Sequence, residues 1–146
     1  MLRPAHLLVL ALSLSLAACS ESDPQTRISA DLTRDVYRPA YAKWAETSQQ
    51  LRGSSEALCE GISDLAQART ALAAAQTAWA ALQPLQIGLI NEGNRTWQVQ
   101  FWPDKKNLVA RQVETLLKNK PQPSQGDLEQ ASVVVQGLSA YEYLLF

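Results

Sequence analysis

The sequence contains very little histidine and cysteine. Of its 146 residues, one is His, at position 6, and two are Cys, at positions 19 and 59. A catalytic triad or an imidazole-ligated metal site therefore has almost no residues to draw on. The chain also lacks a CxxC pair and a glycine-rich phosphate loop, which excludes the common redox and nucleotide-binding motifs.

An excess of basic charge is also missing. The 13 Lys and Arg residues nearly balance the 14 Asp and Glu residues, and the formal net charge is -1. This charge balance excludes nucleic acid as an expected partner, because nucleic-acid binding needs a basic surface. The length and the apolar content of 47% suit one ordinary globular domain.

The apolar residues are concentrated at the N-terminus, in a pattern typical of an export signal. Arg3 precedes an unbroken Leu, Ala, Ser and Val run over residues 7–16, and Leu-Ala-Ala-Cys ends at Cys19. The 12 residues from 7 to 18 are too few to cross a bilayer as a helix, which takes about 20. Residues 1–18 are therefore predicted to be a signal peptide. Leu-Ala-Ala-Cys resembles a bacterial lipobox, which implies that Cys19 is acylated and becomes the new N-terminus.

Acylation of Cys19 would anchor the protein to the membrane of the bacterial cell envelope. Ser20 in place of Asp favours, by resemblance to sorted lipoproteins, the outer membrane with the protein facing the periplasm. The alternative is an ordinary cleaved signal with an incidental Cys. In the lipoprotein interpretation His6 leaves with the signal, and Cys59 remains as an odd cysteine. Such a cysteine indicates a free thiol, an intermolecular bridge or a partner outside this chain.

After the lipidated Cys and a polar tether over residues 19–26, the pattern predicts a helical domain over residues 27–146. Apolar residues recur there at steps of three and four, as in helices that bury one face. The fold class predicted is all-α, as an up-and-down four-helix bundle. The predicted apolar stripes are Ile28, Leu32, Val36, Ala40 and Trp44; Leu65, Ala68, Leu72, Ala75, Trp79 and Leu82; Leu108, Val109, Val113, Leu116 and Leu117; and Leu128, Ala131, Val135, Leu138 and Leu145.

Proline and capping residues predict where these helices begin. Pro39 is expected to kink the first helix or to start its second half. Ser63 or Asp64 is a candidate N-cap of the second helix. Pro103 is expected to open the third at its first position, and Asp127 to cap the last. The chain stops inside this last helix, at Phe146, which favours a C-terminally truncated domain.

Glu142 stands out because it occupies a stripe position otherwise filled by Leu, Ala and Val. A carboxylate that faces a core is costly unless it is paired, hydrogen-bonded or bound to a cation. Ser139 lies one turn earlier on the same face, and Gly137 in mid-helix indicates a close backbone approach or a local break. The structural alternative is an ion pair between Glu142 and Arg95 or Arg111.

The tryptophans are weaker candidates for a functional site than Glu142. Trp79, Trp97 and Trp102 are interpreted as core aromatics rather than as a ligand-binding platform. Arg95 and Asp104 are likewise expected to be structural.

An ordered series of short motifs resembles a known family. The series covers nearly the whole chain after the predicted signal. Its motifs are Arg38-Pro39-Ala40-Tyr41, Leu58-Cys59, Trp79, Gly93-Asn94-Arg95, Phe101-Trp102-Pro103-Asp104-Lys105-Lys106, and residues 136–145 from Gln136 to Leu145. The series resembles the N-terminal half of an imelysin-like lipoprotein, also called insulin-cleaving membrane protease or peptidase family M75.

The resemblance implies two related helical bundles in an envelope protein linked to iron uptake. The family signature Gly-x-His-x-x-Glu falls on Gly137, Ser139 and Glu142, with Ser139 in the His position. A hydroxyl is a poor ligand for a transition metal, whereas Glu142 suits a harder cation. The resemblance therefore implies a metal or ligand site at Glu142 and Ser139, for iron or another divalent cation, with Gly137 as the motif glycine.

The leading prediction is a non-enzymatic, lipid-anchored binding component linked to iron or other metal uptake. Its partners are then the membrane, through the anchor, and an envelope iron-uptake protein. The alternatives are a peptidase of the M75 type and a truncated, non-functional fragment. The loss of the motif His at Ser139 makes the enzyme the weaker of these predictions.

Overall fold

The computed structural model describes residues 23–146. The predicted signal peptide and lipidation site, Cys19, lie outside these residues. The described residues form α-helices joined by turns and contain no β-strand, so the predicted all-α bundle is confirmed. Their helices are α1 (Pro24–Leu32), α2 (Arg38–Cys59), α3 (Leu65–Leu82), α4 (Arg95–Val99), α5 (Leu108–Asn119), α6 (Gln125–Gln130) and α7 (Gly137–Leu145).

The described residues divide into two units, one that ends at Arg38 and one that comprises residues 39–146. In the first unit, α1 begins at Pro24, within the predicted tether, because proline suits the first turn of a helix. A π-helical segment, Thr33–Tyr37, follows α1. The predicted apolar stripe is wrong here, since Ile28, Leu32 and Val36 are all exposed.

The core of the second unit is built on α3. The Asp64 side chain accepts a hydrogen bond of 2.8 Å from the backbone N–H of Gln67 and so caps this helix, as predicted. Five of the six stripe residues are buried, namely Ala68, Leu72, Ala75, Trp79 and Leu82. On α2, Pro39 is the second residue of the helix, which agrees with its predicted role as a start.

Partly buried side chains of α2 cover this core, and α7 packs against α3, α4 and α5. The rings of Trp44 on α2 and Trp79 on α3 lie 5.3 Å apart at 44°. Cys59, at the end of α2, is an exposed free thiol.

None of the helices between residues 23 and 146 is both long enough and apolar enough to cross a membrane.

The prediction that Pro103 opens the third helix is wrong. Helix α5 begins at Leu108, directly after Asn107, whose positive φ of 51° interrupts the helical path. The Asp104 carboxylate instead accepts hydrogen bonds from the backbone N–H groups of Leu108 and Val109, at 2.8 and 2.9 Å. Asp104 therefore caps α5 from outside the helix, which agrees with the structural role expected for it.

The predicted last helix is also wrong in its cap and its continuity. Ser124 is the N-cap of α6, and Asp127 lies three residues later in a reciprocal capping box. The chain then leaves the helix after Gln130, passes through the short 3₁₀ segment Val133–Val135, and re-enters a helix at Gly137. Such breaks explain why the predicted four long helices are shorter and more numerous.

The hydrogen bonds that the Asp104 and Asp127 carboxylates form at the starts of α5 and α6 predict a dependence of stability on pH. The hydrogen bond from the Lys120 ammonium, followed by those from the backbone and hydroxyl of Ser124, lowers the pKa of Asp127 to about 2. Hydrogen bonds from the backbone N–H groups of Leu108 and Val109 lower the pKa of Asp104. Because both folded-state pKa values lie below the unfolded ones, the stabilisation is complete above about pH 5 and decreases as the pH falls through the unfolded value near 4. The contribution of Asp127 is lost as the pH falls toward about 2.

Thermal unfolding followed by circular dichroism between pH 6 and pH 2.5 checks this prediction. The melting temperature of the wild-type protein is expected to fall across this range. An Asp127→Asn variant is expected to melt lower at pH 6 and to show a shallower fall with pH. A matched Glu129→Gln variant, which removes a carboxylate from the same helix, should follow the wild type. Equal slopes for the wild type and Asp127→Asn would contradict the role given to Asp127.

Candidate functional site

A cleft of about 620 Å³ lies in the second unit and contains two of the three predicted motif residues. We call it the Glu142 cleft. Its walls come from the second half of α3 and the turn after it, from α4 and the segment that follows, and from α7. The residues that line it are Gln76, Trp79, Ala80, Gln83, Gln86, Thr96, Trp97, Gln100, Trp102, Ser139 and Glu142.

Glu142 is exposed on α7 and not buried in the apolar core, so the predicted core position is wrong. Its Oε2 atom accepts a hydrogen bond of 2.9 Å from the Gln76 side-chain amide on α3. Within residues 23–146 it forms no ion pair, and the predicted pairing with Arg95 or Arg111 is therefore wrong. Arg95 instead donates to the backbone oxygen of Leu89, at 3.2 Å. The carboxylate thus faces the cleft with a neutral neighbour.

Ser139 lies one turn before Glu142 and is half-buried. Its hydroxyl donates a hydrogen bond of 3.1 Å to the backbone oxygen of Phe101. This contact ties α7 to the segment that carries Trp102, and it uses the one proton that the hydroxyl can donate. The serine can therefore offer a ligand only its remaining acceptor capacity.

Gly137 explains how these two residues reach the cleft. It is the first residue of α7, with a positive φ of 67°. A Cβ atom at this position would lie 2.3 Å from the backbone oxygens of both Gln98 and Val99. Both features predicted for Gly137, a close backbone approach and a local break, are confirmed. Only glycine lets the start of α7 contact the end of α4 so closely.

The tryptophans of the cleft differ from one another. Trp79 is 1% exposed and belongs to the core, as predicted. Trp97 is 52% exposed and Trp102 is 74% exposed, so the core interpretation is wrong for both. The ring of Trp97 meets that of Phe101 edge to face, at 5.9 Å and 84°. Two largely exposed indoles therefore border the same cleft as Glu142.

Sequence reasoning missed the glutamines of the cleft. Gln76, Trp79 and Gln83 follow one another on α3 and its extension at steps of three and four, which places them on one side of the helix. A search for polar residues interleaved with an aromatic at helical spacing would have found this side. Gln86 and Gln100 lie outside regular helices, and no pattern marks them.

The donor groups of the cleft are oxygen atoms and amides. Within residues 23–146, no three His, Cys, Asp or Glu side chains come together in a way that would hold a metal ion. One carboxylate, a serine hydroxyl and amide oxygens suit a weakly held hard cation that keeps several water ligands. They do not fit a tightly held transition-metal centre, which takes thiolate, imidazole or several carboxylate ligands.

Comparison with known proteins points to the same part of the chain. The family model for peptidase M75, described as imelysin, matches residues 37–146. That match covers the whole of the second unit and every residue that lines the Glu142 cleft. Searches of curated proteins and of solved structures found no match.

Proposed function

Because the chain belongs to the imelysin family, we propose that it is a cell-envelope lipoprotein and a binding component linked to the uptake of iron or another metal. Its ligand site is the Glu142 cleft. The observation that carries the proposal is an exposed carboxylate at the family's motif position, in a cleft with no other charged side chain among its lining residues. The proposed site is thus selective for cations.

The lipobox at residues 16–19 supports the envelope location. An acylated Cys19 holds the protein at the outer membrane, facing the periplasm, where the cleft is open to ligands that cross that membrane. An envelope partner of the uptake system then receives the ligand. A lipid-anchored binding component needs no catalytic machinery of its own, which agrees with the chemistry available in the cleft.

The side chains of the cleft favour binding over peptide hydrolysis. Glu142 is the one lining residue that can accept a proton to activate water, and its nearest partner is the neutral amide of Gln76. A general acid for the leaving amine has no candidate among the other lining residues, which are amides, hydroxyls, indoles and Ala80. The family name keeps a peptidase as the second candidate. Cleavage of a peptide mixture that is lost in Glu142→Gln would favour it.

Titration with Fe²⁺ under anaerobic conditions tests the proposal. We expect the wild-type protein to bind the ion and a Glu142→Gln variant to bind it about tenfold more weakly, because one charged ligand is lost. Glu129→Gln, which removes an exposed carboxylate outside the cleft, serves as the matched control and should bind like the wild type. Equal affinities for the wild type and Glu142→Gln would overturn Glu142 as the metal site.

A further inference from the structure

The electrostatics of the Glu142 cleft restrict the charge of its ligand. Of the residues that line it, Glu142 alone is charged, and no Lys or Arg is among them. The charge on the walls of the cleft is therefore negative, which favours a cation over phosphates, carboxylates and other anions. The amides and hydroxyls around it are neutral donors and acceptors that can orient a polar group of either kind.

The carboxylate also has capacity for an external partner. A carboxylate has two oxygens with about four acceptor sites between them. In the described part of the chain, Glu142 uses Oε2 for the amide of Gln76, and no hydrogen bond is formed by its other oxygen. A ligand cation can therefore approach without displacing an internal ion pair.

The exposed indoles distinguish an organic cation from a bare metal ion. Trp97 and Trp102 keep 52% and 74% of their surface exposed, although burying a large aromatic side chain normally stabilises a fold. Indole faces attract cations that carry apolar groups, and Trp does so best among the aromatic residues. A hydrated metal ion would gain little from them, and the cleft offers it one carboxylate.

We infer that the Glu142 cleft binds a ligand carrying an alkylated ammonium group. Glu142 is its counter-ion, and Trp97 and Trp102 supply its aromatic contacts. A volume of about 620 Å³ is within the range typical of small-molecule sites. The inference rests on the proposed function only in taking the cleft as the binding site, and it is independent of any link to metal uptake.

Choline and its uncharged carbon analogue, 3,3-dimethylbutan-1-ol, form a matched pair of probes because they have nearly the same shape. Calorimetric titration of the wild-type protein is expected to show at least tenfold tighter binding of choline than of the alcohol. Glu142→Gln should remove most of this preference, and Trp102→Leu, at an exposed position, should weaken choline binding several-fold. Glu129→Gln should leave both affinities unchanged. Circular dichroism establishes that each variant is folded as the wild type.

Equal binding of the two probes, unchanged choline binding by Glu142→Gln, or no choline binding at all would overturn the inference. The Fe²⁺ titration separates this failure from that of the proposed function. Iron binding that depends on Glu142, with no response to choline, would leave the proposed function in place and remove the inference. Choline binding that depends on Glu142, with no response to iron, would support the inference and remove the link to metal binding.

Discussion

A Gly137→Ala variant is expected to lose about 2–5 kcal/mol of stability, a large share of the roughly 5–15 kcal/mol that is typical of a folded domain. The left-handed conformation costs alanine about 1–2 kcal/mol, and Gly137 has a φ of 67°. The added Cβ would also lie 2.3 Å from the backbone oxygens of Gln98 and Val99. Backbone atoms cannot rotate away as a side chain can, so α7 must move, at a further cost of about 1–3 kcal/mol.

Two other glycines provide the controls. Gly61 has a φ of 72°, but a Cβ added there would meet no neighbouring atom within 4 Å, so Gly61→Ala should lose only the conformational cost. Gly53 lies within α2 in open space, and Gly53→Ala should gain up to about 1 kcal/mol from helix propensity. Urea unfolding of the three variants gives the comparison. Losses of the same size for Gly137→Ala and Gly61→Ala would show that α4 and α7 do not meet as closely as described.

The sequence predicts helix α3 well because its structure depends on local rules. Asp64 caps the helix through a contact with Gln67, and the apolar stripe from Ala68 to Leu82 is buried as its spacing requires. Both signals lie within the helix itself. Binary patterning and capping are sufficient where one continuous helix packs against one core.

The site is predicted less well because it depends on which part of a helix face the neighbouring segments cover. Leu138, Glu142 and Leu145 lie within α7 at steps of four and three, so they share one side of that helix. Leu138 and Leu145 are buried, whereas Glu142 between them borders the Glu142 cleft and is exposed. The position of α7 depends on the close approach of Gly137 to Gln98 and Val99, a contact between segments far apart in the sequence that no local pattern contains.

The family motif nevertheless identifies residues that lie close together. Ser139 and Glu142 line one cleft, and Gly137 sets the start of the helix that carries both. The exposed indoles of Trp97 and Trp102 are the part that hydrophobic patterning misplaces, since the pattern treats every large aromatic as a core residue. Their exposure is set by the turns on either side of α4, where periodicity gives no information.

A Trp79→Ala variant is expected to lose about 3–5 kcal/mol of stability, the range typical of removing a fully buried aromatic side chain. Trp79 is 1% exposed and packs against Trp44, with ring centroids 5.3 Å apart. Its truncation leaves a cavity between α2 and α3 that the surrounding helices can only partly fill. Trp79 also lines the Glu142 cleft, so its truncation would change the wall of the proposed binding site as well.

Trp102→Ala is the matched control, because it removes the same side chain from a position that is 74% exposed. Its expected cost is below about 1 kcal/mol, since little apolar surface returns to water. Urea unfolding followed by circular dichroism measures both variants without relying on tryptophan fluorescence. If the two substitutions cost the same, the core would not be centred on Trp79. A large loss for Trp79→Ala alone would show that Trp79 holds the fold together and that Trp102, on the wall of the same cleft, is not needed for stability.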